Sequence, residues 1–545
     1  MRRGFKAAAV VLFLLAAMVL SGCGTGKKDR DTESTVMVET REPDTGNRKE
    51  TEAGVIQTFA GSGEKTFSEY TPETLAVFTG DFSGEDAAAG ADPAEQSPEE
   101  AVPDSPDKDF IFTIQNDRAT ITGYQGNGGK VKIPEHLGGA DSIYIEHSAF
   151  RSADTITWIY LPETVCDIAP WAFCGCDALE EVYIRGGGRI GEYAFTGCNK
   201  LRKVDMLSSV DQIYERAFED DDQLKEVIFP PALTSIGEWA FSGCVSLEEA
   251  ELEGTALTRI EGNAFGKCRK LTYLSLPATL DAAEDGFYYW DYKGLCSTAF
   301  VGCRSLGNVV IDEKNPYLEL EDGVLYANNA VVTMFQGYEN TDVVIRDGTE
   351  WIGSFAFYGN KNLRSIVIPE SVKWLSYLSF GRCSALTEVK LPDTVEEIED
   401  RTFFRCTSLK NAVIGNGIQN IPDQAFAFCT SLENVTLGNQ VASIGMGAFQ
   451  NCCALKKIKL PDTATCIGQS AFVNCTELER INLPDQFEEY FVYGYITPTS
   501  TSTVFENCVK VVITYRGREY GYQQAEKLDA ALEEVMEEGL KKTWD

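Results

Sequence analysis

The chain has 545 residues, 43% of them hydrophobic, and a formal net charge of −35 at neutral pH. This acidity argues against nucleic-acid binding, which requires a basic surface, and against attraction to anionic lipid. With only two histidines, His136 and His147, the chain also has few routes to histidine-based catalysis or metal coordination.

Residues 1–22 have the composition of a secretory signal peptide. Arg2, Arg3 and Lys6 precede an apolar stretch, residues 7–20, that is too short for an ordinary membrane span. The junction Leu20-Ser21-Gly22-Cys23 resembles a bacterial lipobox, which implies cleavage before Cys23 and lipid attachment to its sulfur. Two acyl chains anchor a protein stably. We therefore expect anchoring to the outer face of the cytoplasmic membrane, with the outer membrane as an alternative, and an ordinary signal peptide as the competing interpretation.

Residues 23–107 are rich in Asp, Glu, Ser, Thr, Gly, Ala and Pro and show no sustained periodicity. Such a segment cannot bury enough apolar surface to offset the conformational entropy lost on folding. We predict a disordered acidic tether between the anchor and the folded part of the chain.

Residues 108–142 carry short alternating apolar patterns that predict β-strands. Residues 110–114 and 119–124 read as a strand pair joined by a turn at Asn116-Asp117, and residues 131–133 as a third strand. Because a solenoid needs its exposed end covered, we expect this region to form an N-terminal β cap.

A repeat with a period of about 23 residues fills residues 143–511. Each unit reads roughly I-G-x-x-A-F-x-x-C-x-x-L-x-x-V-x-L-P, and a fixed period of this length is typical of a solenoid. The V-x-L segment predicts a short strand, whereas A-F-x-x-C-x-x-L, with its spacing of three, predicts a helical turn. Insertions interrupt the repeat at about 281–297, 312–341 and 485–503. The marker phenylalanines of the fourteen units, which we expect to stack in the core, are Phe150, Phe173, Phe195, Phe218, Phe241, Phe265, Phe300, Phe357, Phe380, Phe403, Phe426, Phe449, Phe472 and Phe505.

This motif resembles that of the BspA-type, or treponemal-type, family of bacterial leucine-rich repeat proteins. The resemblance implies a right-handed leucine-rich-repeat solenoid with one short strand and one helical turn per coil. A β-hairpin would cap its N-terminal end, and a strand and a helix its C-terminal end. Known members of the family are surface proteins implicated in adhesion and in binding host matrix proteins, so the resemblance also implies binding of macromolecular partners.

Seventeen cysteines are present, and apart from Cys23 most of them follow the repeat. Eleven lie three residues after a marker phenylalanine, where buried cysteine behaves as a small apolar residue. We expect these to be free thiols, because bonds between parallel side chains would strain the stack. Outside this position, Cys166 with Cys174 is the candidate disulfide, and no pair of CxxC motifs indicates a metal site.

Several side chains are candidates for contacting a partner. Insertions and outward positions of repeat strands often form binding faces, and exposed aromatic side chains are common protein or glycan anchors. The alternative for the aromatic candidates is packing under the N-terminal cap or over exposed core beside the irregular coils. The candidates are Trp158, Tyr160 and Tyr183 near the N-terminal end, Tyr288, Trp290, Tyr292, Tyr490, Tyr493 and Tyr495 in the insertions, and Lys457, Lys459 and Arg480 near the C-terminal end.

Residues 512–545 end the chain with a strand followed by a helix. Leu528, Leu532, Val535, Met536 and Leu540 lie on one helical face. We expect this helix to cap the solenoid, and a partner-binding helix is the alternative.

The sequence favours a binding protein over an enzyme. It contains no P-loop, G-x-S-x-G or HExxH motif, so we expect no catalysis, cofactor or metal. The favoured function is binding of a protein or glycan ligand at the bacterial cell surface. An envelope scaffold and a dedicated glycan-binding module are the alternatives, and the sequence leaves the oligomeric state open.

Overall fold

A computed structural model describes residues 101–206, 209–281, 294–487, 489–491 and 501–532. These residues belong to one compact unit, Ala91–Asp545. The signal segment, Cys23 and most of the predicted tether lie outside the described residues. Within the described part of the chain, no helix is both long and apolar enough to cross a bilayer.

Each coil of the solenoid contributes two short strands, which form two columns. The first strand comes from the V-x-L segment, as in β24 (Glu388–Lys390), whose central valine is buried between two exposed side chains. The second comes from the I-G segment, as in β25 (Glu397–Ile398), whose isoleucine is buried. Neighbouring coils pair in parallel over most of both columns, so the inward side chains of successive coils line the core.

We call the first set the V-x-L column. Its strands are β3 (Gly129–Lys132), β5 (Ile156–Leu161), β7 (Glu181–Ile184), β9 (Lys203–Met206), β11 (Glu226–Ile228), β13 (Glu249–Glu251), β15 (Tyr273–Leu276), β16 (Asn308–Ile311), β20 (Asp342–Val344), β22 (Ser365–Val367), β24, β26 (Asn411–Val413), β28 (Asn434–Thr436), β30 (Lys457–Lys459), β32 (Arg480–Asn482), β34 (Val512–Tyr515) and β35 (Arg518–Gly521).

The second set is the I-G column. Its strands are β1 (Phe110–Gln115), β2 (Arg118–Tyr124), β4 (Ser142–Ile145), β6 (Val165–Ile168), β8 (Gly187–Ile190), β10 (Ser209–Ile213), β12 (Ser235–Ile236), β14 (Arg259–Ile260), β17 (Leu318–Glu321), β18 (Val324–Ala327), β19 (Ala330–Met334), β21 (Trp351–Ile352), β23 (Trp374–Leu375), β25, β27 (Asn420–Ile421), β29 (Ser443–Ile444), β31 (Cys466–Gly468) and β33 (Glu489–Phe491).

Antiparallel hairpins lie at both ends of the described solenoid. At the N-terminal end, β1 pairs with β2 through a tight turn in which Asn116 and Asp117 have positive φ angles of 51° and 56°. At the C-terminal end, β34 pairs with β35, and residues 525–532 (α2) are helical. Leu528 and Leu532 of α2 are buried. Val535, Met536 and Leu540 lie outside the described residues.

The remaining helical elements are short. Within the described residues they are the 3-10 helices Asp107–Asp109, Leu137–Gly139 and Tyr522–Gln524, and the α-helical turn α1 (Thr501–Val504).

The insertion between Phe300 and Phe357 forms a three-stranded antiparallel meander, β17–β18–β19, whose last strand pairs in parallel with β21. Met334 takes the position of the marker phenylalanine in this coil. Its backbone N–H donates to the Ala356 carbonyl at 2.7 Å, just as the Phe150 N–H donates to the Ala172 carbonyl at 2.7 Å in a regular coil. The stack of phenylalanines is therefore interrupted here, and the core divides into two clusters.

The marker phenylalanines stack along the core in the regular coils. Phe195 and Phe218 have ring centroids 5.1 Å apart and an angle of 2° between ring planes, and Phe403 and Phe426 are 5.1 Å apart at 11°. Both rings of each pair are fully buried. Each ring therefore contacts the coil before it and the coil after it, which confirms a solenoid built by stacking.

The predicted helical turn does not form around these phenylalanines. Left-handed residues lie two positions before and two positions after the marker, as with Trp171 (φ 63°) and Gly175 (φ 69°) around Phe173. A residue with positive φ cannot continue a right-handed helix. The segment instead makes successive tight turns, such as that closed by the Cys176 N–H and the Phe173 carbonyl at 3.3 Å.

The cysteines of the repeat bridge neighbouring coils by hydrogen bonds. Each thiol donates to the carbonyl of the marker phenylalanine one coil earlier, with Sγ···O distances of 2.9–3.3 Å. Burial raises the pKa of thiols such as Cys244 and Cys452 well above the ordinary value, so they keep the proton that they donate. The eleven thiols are Cys176, Cys198, Cys244, Cys268, Cys303, Cys383, Cys406, Cys429, Cys452, Cys475 and Cys508.

The candidate disulfide is not formed in this structure. Cys166 and Cys174 are both free thiols, and the Cys166 thiol donates to the Ile143 carbonyl at 3.1 Å.

Asp221 occupies the cysteine position in the coil of Phe218 and is completely buried. Its Oδ1 accepts the Cys198 N–H at 2.7 Å, whereas its Oδ2 has no hydrogen-bond partner. Burial raises the pKa of this carboxyl well above its ordinary value. A protonated carboxyl avoids the cost of burying a negative charge beside an oxygen that has no hydrogen-bond partner. Asn360 fills the same position in another coil and is also buried.

We expect Phe426→Ala to lower the free energy of unfolding by about 3–5 kcal/mol, because it removes a ring stacked on both sides. Since coils interact mainly with their neighbours, hydrogen exchange should increase most in the coils of Phe403 and Phe449. Asn434→Ala, on the exposed face of the same coil, is the matched control. Uniform loss of protection along the whole solenoid would contradict this local effect.

We expect Asp221→Asn to stabilise the protein at neutral pH. An aspartate with a raised pKa in the folded state ionises first in the unfolded state, so stability falls as pH rises from about 4 toward the folded pKa. Asparagine keeps the acceptor for the Cys198 N–H and is neutral at every pH. The thermal midpoints of the two proteins should therefore diverge progressively as the pH rises above about 4. Asp220→Asn, at an exposed neighbour, should not reproduce the change, and parallel pH profiles for Asp221→Asn and the parent would exclude a protonated Asp221.

Candidate binding surfaces

The outer face of the V-x-L column presents two side chains per coil. In β24, β28, β30 and β32 the first and third residues are exposed and the central residue is buried. Strand alternation produces this pattern, and pairing at a fixed register aligns the exposed side chains of successive coils into two rows.

The N-terminal aromatic candidates are mostly packed against one another. Trp158 is 4% exposed and Tyr183 is 5% exposed, whereas Tyr160 is half-buried. The Trp158 ring lies 5.3 Å from Tyr183 and 6.4 Å from Tyr160. The ammonium groups of Lys130 and Lys132, on β3, lie over Trp158 and Tyr160. Trp158 and Tyr183 are therefore not exposed to a partner. Their large rings cover each other, and side chains of the preceding strand cover them as well.

Polar groups around the Tyr183 ring also hold it in place. Its hydroxyl donates to Glu181 at 2.9 Å, and burial together with this carboxylate raises its pKa to about 12. Beside it, Arg185 forms a buried ion pair with Asp205 at 3.0 Å and lies over the Tyr183 ring. Such a satisfied network fixes the position of the ring and leaves it little freedom to receive a ligand.

The C-terminal basic candidates are exposed on the same column. Lys457 and Lys459 flank the buried Ile458 in β30, and Arg480 aligns with Lys457 in the next coil. Arg480 donates to Glu519 at 2.7 Å. Neither lysine has an ion-pair partner among the described residues. Two unpaired ammonium groups thus lie on one coil of a strongly acidic protein.

A row of exposed valines on this column was missed by the sequence analysis. Val344 and Val367 face each other across β20 and β22 and are 70% and 56% exposed. Val413, on β26, is 38% exposed, and Lys390 lies one coil before it in the same outer position. These valines were detectable in principle, because each follows the buried residue of its strand at the position of Lys459.

A second group missed from the sequence lies two residues before the marker phenylalanine. Trp171 and Tyr193 stack with centroids 4.3 Å apart, and Arg216 lies over both Tyr193 and Trp239. Arg151 covers the other end of this row. All but Arg151 have positive φ, which is uncommon for bulky side chains. The ring faces contact one another and the guanidinium groups, so the row presents mainly its edges to solvent.

A further aromatic cluster lies on two coils after the meander. Trp351 and Trp374 align on β21 and β23 with centroids 4.4 Å apart, and the Trp351 indole N–H donates to the Ser376 hydroxyl at 3.3 Å. Phe355 meets Tyr377 edge-to-face at 5.6 Å beside them. The repeat places Trp351 and Trp374 at equivalent positions of consecutive coils, and comparison of those positions would have shown this pair.

The insertion candidates cannot be placed. Tyr288, Trp290, Tyr292, Tyr493 and Tyr495 lie outside the described residues, and only the backbone of Tyr490 is described, in β33. These assignments therefore stay predictions. Among the described residues there is no group of three or more His, Cys, Asp or Glu side chains that could hold a metal ion.

The repeat also matches a known family. The model of the BspA type leucine rich repeat region matches residues 130–213, 188–319, 332–453 and 386–512, more than half of the chain. The protein belongs to this BspA-type leucine-rich repeat family. Comparison with curated protein sequences gives no significant match.

Comparison with solved structures finds several that are similar to this BspA-type protein. A leucine rich cell surface protein from Faecalibacterium prausnitzii A2-165 is 25% identical, with 77% of this chain and 98% of that chain covered and a TM-score of 0.50. A leucine-rich repeat protein from Eubacterium ventriosum is 19% identical over 72% and 90% of the two chains, with a TM-score of 0.49. The pneumococcal vaccine antigen PcpA is 16% identical over 77% and 94%, with a TM-score of 0.44.

Proposed function

We propose that this protein is a surface-anchored bacterial lipoprotein that binds a macromolecular partner, in adhesion or host-protein recognition, through the V-x-L column of its solenoid. The signal-like residues 1–22 and the lipobox-like Cys23 support the anchor. Membership of the BspA-type family, and similarity to a protein described as a cell surface protein, support the location. The proposed role is binding, without catalysis.

The observation that carries the proposal is the combination of exposed valines and unpaired lysines along one strand face. Isolated exposed apolar residues are normal on protein surfaces. Here, however, Val344, Val367 and Val413 share one row with Lys390 and Lys459. An apolar strip bordered by charge has the organisation of a protein–protein interface.

The chemistry of this face selects a class of partner. The valines would cover apolar side chains of the ligand, and the lysines would meet its carboxylates. Because the rest of the surface is acidic, the lysines would also orient an acidic protein toward this part of the column. We therefore propose a protein ligand with an apolar patch bordered by Asp or Glu. Because the rings of Trp158 and Tyr183 are buried and packed against each other, the N-terminal end of the column is a weaker candidate.

We expect the double variant Lys457→Glu/Lys459→Glu to weaken partner binding at least tenfold, mainly through slower association, and to reduce its dependence on salt. The ligand would come from a screen of the full chain against matrix proteins and purified glycans, followed by surface plasmon resonance. Arg480 is left unchanged because its reversal would also break the contact with Glu519. Glu249→Lys/Glu251→Lys, on the same column, is the matched control. Equal ligand affinities for Lys457→Glu/Lys459→Glu and the parent would refute the assignment of ligand binding to this face.

We expect Val344→Ser/Val367→Ser to raise the dissociation rate at least tenfold while leaving the thermal midpoint nearly unchanged, because both side chains are exposed. Asn434→Ser on β28 is the control in the same column. If Trp290→Ala alone abolished binding and these changes did not, the ligand would be a glycan held by the insertion. If no ligand bound at tens of micromolar, an envelope scaffold would replace the proposal.

A further inference from the structure

β1 ends the I-G column with an open edge. It pairs with β2 on one side, and no described strand pairs with its other side. The two-residue turn closes on the pair Gln115–Arg118. In such a hairpin the closing pair exchanges hydrogen bonds and every second pair does the same. The backbone N–H and C=O groups of Phe112 and Ile114 therefore point outward, toward the open edge.

The composition of β1 does not protect this edge. The strand, Phe-Ile-Phe-Thr-Ile-Gln, has neither a charged residue nor a proline, and Ile111 and Ile114 are 49% and 46% exposed. Natural proteins usually block open edges with charges, proline or a covering segment. At the opposite end of the solenoid, β35 carries Arg518 and Glu519 and is followed by α2.

The segment that leads into β1 covers other parts of this end. The Ser105 N–H donates to the Lys132 carbonyl on β3 at 2.8 Å, and the Asp109 carbonyl accepts the Gln125 N–H, just after β2, at 2.8 Å. Residues 105–109 therefore contact the ends of β3 and β2, and the outer edge of β1 stays unpaired within the described part of the chain.

We propose that β1 pairs antiparallel with β1 of a second copy of this chain, so that the protein dimerises through its N-terminal hairpin. A two-fold axis at Thr113 pairs Phe112 of each copy with Ile114 of the other, and this register joins the outward N–H and C=O groups. The contact is self-complementary, as a two-fold interface requires. The absence of charge matters, since two copies of a chain with a net charge of −35 approach with least repulsion at an uncharged strand.

Cysteine cross-linking tests this register. In the dimer the two Thr113 residues face each other as a pair without hydrogen bonds, with Cα atoms about 4.5 Å apart, which is within disulfide range. We expect the full chain carrying Thr113→Cys, with Cys23→Ser to remove the predicted lipid site, to form a disulfide-linked dimer under mild oxidation. Thr122→Cys, at an exposed site on β2, should cross-link at least tenfold less, and the parent with its native cysteines should not cross-link.

Sedimentation velocity of the same Cys23→Ser chain, without the added cysteine, measures the association directly. We expect a dimer at tens of micromolar, strengthened by salt because salt screens the net charge, and at least a tenfold weaker dimer for Ile111→Lys/Ile114→Lys. Unchanged thermal midpoints would show that this variant folds.

A monomeric mass at 100 µM with no cross-link at Thr113 would overturn the proposal and leave β1 free for a strand of another protein. A dimer that survives the lysines would also overturn it. The lysine and valine variants of the V-x-L column test ligand binding separately from dimerisation, so that failure of one proposal can be distinguished from failure of the other.

Discussion

The stacking of one coil on the next is the interaction on which this protein depends. The marker phenylalanine links three coils at once. In regular coils its ring lies between two other rings, its N–H donates to the next coil, and its carbonyl accepts the thiol of that same coil. No coil can satisfy these groups alone, so stability arises between neighbours. Where the cysteine position does not carry cysteine, it holds other small side chains, such as Ala153, Asp221 and Asn360.

The same constraint shapes the surface. Because the inward positions are fixed by the stack, variation is confined to the outward positions, which the register aligns into rows. One row, on the V-x-L column, carries exposed valines and lysines. Another row, two residues before the marker phenylalanines, alternates aromatic rings with guanidinium groups. The turn around most of the marker phenylalanines adds two left-handed residues per coil, and in several coils these are bulky, as with Trp171 and Phe355. A row of side chains on a rigid backbone offers a partner an extended, preorganised contact surface.

The ends of the stack follow different rules from its interior. An internal strand has a neighbour on each side, whereas a terminal strand leaves backbone groups to be satisfied by something else. At the C-terminal end a charged strand and the helix α2 follow the last coil. At the N-terminal end, β1 is uncharged and open on one side. This asymmetry is a property of the described chain, and it is the basis for placing self-association at the N-terminal hairpin.

The sequence alone determined the architecture of the solenoid. A period of 23 residues, with phenylalanine, cysteine and leucine three apart and valine and leucine two apart, specified stacked coils, the inward residues and the V-x-L strands, because each inward position repeats the same physical requirement. It also indicated the turn at Asn116-Asp117, where positive φ favours short polar residues. The second strand of each coil was not predicted from the sequence, because a two-residue strand such as β25 (Glu397–Ile398) is too short to show alternation.

Only the tertiary structure decided the rest. It replaced the helical turn by tight turns, because left-handed backbone at Trp171 or Arg401 is set by packing between coils and has no local signal in these residue types. It buried Trp158 and Tyr183, since exposure depends on what the neighbouring strands place beside a ring. It placed Met334 in the position of a marker phenylalanine. The Met334 N–H makes the same hydrogen bond to the next coil as a marker phenylalanine does, and the repeat motif does not include methionine at this position. Which outward side chains form one surface is likewise a matter of register between coils, and register is a tertiary property.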